Sequence, residues 1–112
     1  TDTVLQVSQG AFVHQPIYKC GNVHQTLIQL KDQGFWVIGV ENSINAKPWC
    51  EIDYSGKVVI IVGSEGKGIR PLVLKTCDFL ATIPMQGKVN SLNVTAAVSA
   101  ILFERNRQIW SS

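Results

Sequence analysis

The chain has 112 residues, of which 46% are hydrophobic and 16% are charged, and its formal net charge at pH 7 is +2. We expect one globular domain with a packed core, because a chain this apolar can offset its ordering entropy, and this excludes a disordered segment. A net charge of +2 is too small to mark a nucleic-acid-binding surface, so composition alone does not identify a partner.

The cysteines, histidines and apolar runs exclude several further classes of protein. Cys20, Cys50 and Cys77 are odd in number and far apart, which is unlike a disulfide framework or a zinc site and indicates reduced thiols. His14 and His24 have no Cys or carboxylate cluster at ligand spacing. No apolar run approaches the ~18 residues of a membrane-spanning helix, and none resembles a signal peptide. We therefore expect a soluble cytoplasmic protein with no metal site and no membrane segment.

The first part of the chain predicts two helices with a short strand between them. Residues 1–9 favour a helix that stops at Gly10, and "QPIYKC" (15–20) favours a short strand. Asn22 is a good N-cap for the second helix, and Gly34 lies where a left-handed residue ends a helix. The apolar positions of the second helix share one face: Val23, Leu27 and Leu30.

Three apolar runs predict buried strands. "FWVIGVE" (35–41) and "KVVIIV" (57–62) are continuous and rich in β-branched residues, as in strands that helices cover on both faces. Polar residues 42–48 predict a loop between them. Pro71 suits the first turn of a short helix, which leads to the third strand, "FLATIP" (79–84).

The last helix is predicted over residues 94–108, and its apolar stripe comprises Val94, Ala97, Val98, Ile101 and Leu102. Strands that alternate with helices predict an α/β fold with a mainly parallel sheet and helices on both faces. Ligands of such sheets bind at the carboxyl ends of strands. Two unusual loops, residues 63–68 and 84–93, follow strands at that edge.

The glycine-rich stretch "VGSEGKGIRP" (62–71) suits a ligand, although a plain turn is the alternative. Its glycines let the backbone approach a ligand closely, and the helix that follows directs partial positive charge there. The order G-x-x-G-x-G matches neither a Walker phosphate loop nor a dinucleotide fingerprint. Other residues also have simple structural explanations: Asn93 as a helix cap, Cys77 and Met85 as packing residues, and the loop charges as solvated side chains.

Two long motifs carry a more specific resemblance. "IVGSEGKGIRPLVLKTCDFLATIPMQGKVNSLNVTAAVSAILFE" (61–104) closely resembles the second and third signature motifs of the SpoU (TrmH-like) family of SPOUT RNA methyltransferases. "QVSQGAFVHQPIYKCGNVHQTLIQLKDQGFWVIGVE" (6–41) resembles the stretch that precedes them. Residues 1–112 are therefore identified as a SpoU-type catalytic domain without its N-terminal strand and first motif.

The resemblance implies a deep C-terminal trefoil knot that holds S-adenosyl-L-methionine in a bent form. The family positions for cofactor binding fall on Gly63, Ser64, Gly68, Ile83, Met85 and Leu92. The implied reaction is methyl transfer to a ribose 2'-hydroxyl of structured RNA. Since the sulfonium already activates the methyl group, the protein must mainly align the hydroxyl and help remove its proton. The family positions that organise this step fall on Glu65, Ser91 and Asn93.

The resemblance also implies partners. The motif sequences "GSEGKGIRPL" and "IPMQGKVNSLNV" most resemble the subgroup that methylates a guanosine of large-subunit rRNA, with tRNA as the other candidate substrate. Lys67, Arg70 and Lys88 are the candidates for RNA phosphate contacts. Family members are homodimers, and the apolar side of the last helix, with its alanines and Phe103, would suit a second subunit.

One family element has no counterpart in these residues. The catalytic arginine belongs to the first motif, and Arg70, Arg105 and Arg107 lie outside that motif. We therefore expect these 112 residues to be a fragment of a longer enzyme. The main alternative is a non-catalytic RNA-binding knot module that has lost the first motif. A generic nucleotide-binding α/β domain is the second alternative.

Overall fold

The computed structural model describes residues 4–9, 13–18, 23–41, 45–62, 69–84 and 91–111, with backbone alone for 4–9, 13–18 and 91–95. Its elements in chain order are β1 (Val4–Gln9), β2 (Val13–Tyr18), α1 (Val23–Asp32), β3 (Trp36–Val40), β4 (Lys47–Pro48), a 3-10 helix (Trp49–Glu51), β5 (Val58–Val62), α2 (Pro71–Thr76), β6 (Phe79–Thr82) and α3 (Ser91–Ser111).

The strands form one six-stranded sheet in the order β2-β1-β5-β3-β6-β4. β5, β3, β6 and β4 run parallel, which confirms the prediction of an α/β fold with a parallel sheet. The sequence did not predict the other part, in which β1 pairs antiparallel with both β2 and β5.

Three sequence predictions of local structure are wrong. Residues 4–9 form a strand rather than a helix, because pairing on both sides of β1 outweighs local helix preference. The predicted loop 42–48 contains β4, whose Pro48 is tolerated because the strand lies at the edge of the sheet. α3 begins at Ser91 rather than at 94, since "SLN" contains no Pro or Gly to stop a helix. Asn93 therefore lies within the first turn of α3 and is not its cap.

Apolar residues cover the sheet on both faces. Every residue of β5 is buried, as its continuous apolar run predicts. On one face α1 and α2 pack against the sheet, and the buried residues of this core are Leu27, Phe35, Val37, Val59, Ile61, Ile69 and Val73. On the other face α3 and the 3-10 helix pack over Ile38, Ile52, Tyr54, Val58, Ile60, Val62, Ala81 and Ile101. The predicted placement of helices on both faces is confirmed.

The stripe of α3 that includes Ala97 and Ile101 is buried against this chain's own sheet. The sequence had assigned the apolar side of this helix to a second subunit. That assignment is wrong for these two residues, because the sheet face needs the same side chains to exclude water. Phe103, by contrast, is 75% exposed.

Two turns match their sequence predictions. Gly34 has φ +92° just after α1, in the left-handed region that favours glycine. Its N–H donates to the carbonyl of Lys31 at 3.0 Å, which ends the helix. Pro71 is the first residue of α2, where its missing N–H has no cost.

Asp78 joins three elements at the amino edge of the sheet. Its Oδ2 accepts the N–H of Val37 at 2.7 Å, and its own N–H donates to the carbonyl of Val37 at 2.7 Å. Its Oδ1 lies 3.2 Å from Nζ of Lys31, which also donates to the carbonyl of Thr76. α1, β3 and the end of α2 are therefore held together at one carboxylate.

Gly39 lies where β3 meets the turn between α2 and β6. A Cβ at this position would lie 2.8 Å from Sγ of Cys77 and 3.1 Å from Cδ1 of Ile69, so any side chain here would require the Cys77 side chain to shift. Cys77 packs against the core that α1 and α2 cover, as predicted for a packing residue. Burial, followed by the negative charges of Asp78 and Glu41, raises the pKa of the Cys77 thiol to about 12.

A partly buried polar network fixes the end of α3. Nε2 of Gln108 donates to the carbonyl of Ile52 at 2.7 Å, and its Oε1 accepts the N–H of Tyr54 at 2.8 Å. Both oxygens of Glu104 accept from Arg107 at 2.8 Å. The Arg107 hydrogen bonds lower the pKa of Glu104 to about 2 against the opposing effect of burial, and Gln108 adds to the lowering.

The network predicts a pH-dependent stability. Because the folded pKa of Glu104 is about 2, below its usual 4.5, its contribution is complete above pH ~4.5 and is lost as the pH falls towards 2. Glu104→Gln should therefore lower the free energy of unfolding by on the order of 1–3 kcal/mol at pH 7, and the deficit should shrink by pH 3. Urea unfolding at the two pH values measures it. In an Arg107→Gln background the pH dependence of the deficit should be weaker, and an equal deficit at both pH values would contradict the assignment.

The two described cysteines should differ in reactivity. Cys50 is exposed, whereas Cys77 is packed in the core and its pKa is raised to about 12. Iodoacetamide at pH 7.5 should modify Cys50 at least about tenfold faster than Cys77, because the thiolate is the reactive form. Peptide mass spectrometry separates the sites, and urea provides the control, since unfolding should expose Cys77. Equal rates in the folded protein would rule out this description of Cys77.

Candidate functional site

The carboxyl ends of the parallel strands meet at one edge of the sheet, called here the carboxyl edge. Val40, at the end of β3, pairs with Val62 of β5 on one side and with Ala81 of β6 on the other. Segment 63–68 directly follows β5, and segment 85–90 follows the end of β6 after two intervening residues. β5 and β6 thus end at the carboxyl edge with β3 between them, as predicted, whereas residues 91–93 of the predicted loop 84–93 belong to α3.

The structure describes two predicted site side chains, and both lie beside these segments. Ile83 follows β6, is half-buried and packs against the core that α3 covers. Arg70 is exposed and occupies the N-cap position of α2, where its carbonyl accepts the N–H of Leu74 at 2.8 Å. Ile83 offers apolar surface at the carboxyl edge, and Arg70 offers an exposed cation.

The backbone of Ser91, Leu92 and Asn93 forms the first turn of α3. The other end of α3 is near the start of β5, since Nη2 of Arg105 donates to the carbonyl of Gly56 at 3.3 Å. α3 therefore runs back across the sheet from the carboxyl edge. The first N–H groups of a helix have no partner within it, and they carry partial positive charge.

Seven predicted site residues lie outside the described residues and stay predictions: Gly63, Ser64, Glu65, Lys67, Gly68, Met85 and Lys88. The side chains of Ser91, Leu92 and Asn93 also lie outside the described part of the structure, so their assigned roles stay predictions too. The structure places the strand ends from which these segments start, and it does not test the assigned roles.

Glu41 is a residue at the carboxyl edge that the sequence analysis left without a role. It directly follows β3, and its N–H donates to the carbonyl of Ala81 at 2.9 Å. Its Oε1 accepts the N–H of Ile69 at 3.4 Å. A carboxylate directly after a continuous apolar strand was a visible signal, because such a position is at a strand's carboxyl end.

Two of the three arginines are used elsewhere. Arg105 is 2% exposed and bonds to Gly56, while Arg107 is paired with Glu104. Both belong to the part of α3 that packs near residues 52–56. Arg70 is the arginine that the described residues place at the carboxyl edge.

Two cavities are lined by described residues. One, of about 310 Å³, is lined by Asn45, Lys47, Leu74, Cys77, Asp78, Phe79 and Leu80. The other, of about 490 Å³, is lined by Cys50, Glu51, Ile52, Asp53, Ser55, Arg107, Gln108 and Ser111. Arg70 and Ile83, the predicted site side chains within the described ranges, line neither cavity.

The described ranges contain neither a cluster of metal ligands nor a helix suited to span a membrane. No three His, Cys, Asp or Glu side chains among those residues are arranged to hold a metal ion. Within the same ranges, no helix has the length and apolar character needed to cross a membrane.

The chain is similar to several known proteins. The sequence model of the SpoU rRNA Methylase family matches residues 1–103. A Staphylococcus aureus (strain COL) protein named "Putative TrmH family tRNA/rRNA methyltransferase" is 42% identical over 104 residues, which cover 93% of this chain and 42% of that protein. A Staphylococcus epidermidis protein of the same name is 41% identical over 108 residues, covering 96% of this chain and 43% of the relative.

A solved structure shares the fold. The crystal structure of the A. aeolicus TrmH/SpoU tRNA modifying enzyme superposes with a TM-score of 0.67 and 36% sequence identity, over 78% of this chain and 44% of that one. The chain thus spans about two fifths of the length of the curated relatives it matches. With a family match over nearly its whole length and the same α/β fold, the chain belongs to the SpoU rRNA methylase family.

Proposed function

We propose that the protein binds S-adenosyl-L-methionine at the carboxyl edge and transfers its methyl group to a ribose 2'-hydroxyl of structured RNA. One observation carries the proposal. β5 and β6 end at the same edge of the sheet, on either side of β3, and each leads into one of the two motif segments. Because the chain belongs to the SpoU family, we assign cofactor binding and methyl transfer to this edge.

The cofactor-binding residues are Gly63, Ser64, Gly68, Ile83, Met85 and Leu92, and the segments that carry them form the trefoil knot. The described surroundings fit an adenosine, which needs apolar walls and a few backbone hydrogen bonds. Ile83 is half-buried apolar surface, and the first turn of α3, which begins at Ser91, supplies backbone N–H groups. Glycines at 63 and 68 let the backbone approach a flat ring closely.

Glu65, Ser91 and Asn93 organise the reaction. S-adenosyl-L-methionine supplies a methyl group on a positively charged sulfur, so the protein has no need to activate it. The three side chains orient the ribose hydroxyl and assist the loss of its proton, which is the difficult part because a ribose hydroxyl is a very weak acid. Arg105 and Arg107 are engaged within the fold and have no part in this step.

RNA binds through phosphate contacts to Lys67, Arg70 and Lys88. Arg70 is exposed beside the carboxyl edge, where a cation can reach a phosphate while the ribose lies at the cofactor. The substrate is a guanosine of large-subunit rRNA, with tRNA as the other candidate. The relatives' names include both RNA classes, and the A. aeolicus enzyme is named for tRNA. Such a substrate places the protein in the cytoplasm.

A homodimer forms through the outward side of α3. Phe103 and Trp110 are 75% and 68% exposed, and they are two helical turns apart on that side. Ala96 is exposed near the other end of α3 and permits close approach. Exposed aromatic side chains of this size are typical of protein interfaces.

Binding and transfer test the proposal directly. The protein in its natural full length should bind S-adenosylhomocysteine in calorimetry, with micromolar affinity as a rough expectation, and should prefer it to ATP by at least about tenfold. With tritiated S-adenosylmethionine it should label rRNA or tRNA, and a 2'-deoxy substitution at the target should abolish labelling. Preference for ATP would favour a generic nucleotide-binding domain. RNA and cofactor binding without labelling would favour the non-catalytic RNA-binding alternative.

Asn93→Ala separates a catalytic role from a structural one. In the full-length protein it should lower kcat by at least about a hundredfold while changing the free energy of unfolding by less than about 1 kcal/mol. Asn106→Ala, in the same helix, is the matched control and should leave kcat unchanged. An unchanged kcat in Asn93→Ala would remove Asn93 from the proposed site.

A further inference from the structure

We propose that Glu41 is a positioning residue for the glycine-rich segment 63–68 and thereby sets the affinity for the cofactor. The inference rests on the proposed cofactor site. It concerns a side chain that lies outside both motif loops, directly after the strand that separates them.

The backbone of Glu41 is held independently of its side chain. Its N–H donates to the carbonyl of Ala81 at 2.9 Å, which continues the pairing of β3 with β6 by one residue. The strand does not need the carboxylate for this pairing. The half-buried side chain is therefore directed to another partner.

That partner is the N–H of Ile69, which Oε1 of Glu41 accepts at 3.4 Å. Ile69 is 5% exposed and packs in the core under α1 and α2, so water cannot easily replace a lost acceptor. Buried backbone N–H groups need a hydrogen-bond partner, and a carboxylate is a strong acceptor. Removing the carboxylate leaves this amide without that acceptor.

Ile69 is also the residue at which the glycine-rich segment ends. The segment starts after Val62, which pairs with Val40, and it ends at Ile69, which bonds to Glu41. Both ends of the segment are thus attached to two consecutive residues of one chain, at the end of β3. Glycine-rich backbone has many accessible conformations, so attachment of its two ends limits those that it can adopt.

A positioning role predicts a specific kinetic pattern. Loss of the Glu41 acceptor should weaken cofactor binding more than it slows the chemical step, because it acts through the segment rather than on the reacting atoms. We expect Glu41→Ala in the full-length protein to raise the Kd for S-adenosylhomocysteine and the KM for S-adenosylmethionine about tenfold, with a smaller fall in kcat because Glu65 belongs to the same segment. Amide hydrogen exchange of the peptide that contains Ile69 should become faster.

Two matched variants distinguish the acceptor from general charge or stability effects. Glu41→Gln retains an oxygen acceptor and should keep the Kd within about twofold of the unsubstituted protein. Glu51→Ala removes an exposed glutamate in the 3-10 helix and should leave the Kd unchanged. If Glu41→Ala does not fold, Glu41→Asp replaces it, because its shorter side chain withdraws the acceptor while keeping the charge.

The outcomes separate this inference from the proposed function. If the unsubstituted protein does not bind S-adenosylhomocysteine, both are overturned. If it binds, and Glu41→Ala or Glu41→Asp binds equally tightly or leaves the exchange at Ile69 unchanged, the positioning role alone is overturned. A loss in Glu41→Gln as large as that in Glu41→Ala also overturns it.

Discussion

The central constraint on this fold is that β3 and β5 must be covered on both faces. Every residue of β5 is buried, and β3 contributes Val37 to one core and Ile38 to the other. Helices must therefore pack on both faces. The connections between parallel strands run over these faces, which leaves their loops at the strand ends. The position of each loop at the carboxyl edge follows from this coverage.

The same constraint gives β3 a second role as the reference for the candidate site. It lies between β5 and β6, from which the two motif segments start, and Glu41 extends it by one residue to reach Ile69. At the opposite edge Asp78 attaches to the start of β3 through Val37. β3 therefore connects Asp78, which holds α1 and the end of α2, with Glu41, which bonds to the end of the glycine-rich segment. Moving one of these carboxylates relative to the other would require breaking the hydrogen bonds that pair β3 with β5 and β6.

The sequence predicted the elements whose local pattern and tertiary environment agree. The apolar runs of β3, β5 and β6, the left-handed Gly34 and the start of α2 at Pro71 are of this kind. β1 could not be predicted, because its strand conformation depends on pairing with β5, which is remote in sequence. The motif residues were assigned by resemblance. The bond of Glu41 to Ile69 and the bonds of Gln108 to Ile52 and Tyr54 join segments that are distant in sequence, and no local pattern encodes such partners.

Gly39 has no side chain, and this leaves room for core residues that contact the candidate site. The gap above this residue is filled by Sγ of Cys77, Cδ1 of Ile69 and Cδ2 of Leu80, so a methyl group at 39 would have to displace one of them. Ile69 is the neighbour whose amide bonds to Glu41. Growth of the side chain at position 39 is thus coupled to position 77, since a methyl group there requires Sγ of Cys77 to shift and Cδ1 of Ile69 to give by a few tenths of an ångström.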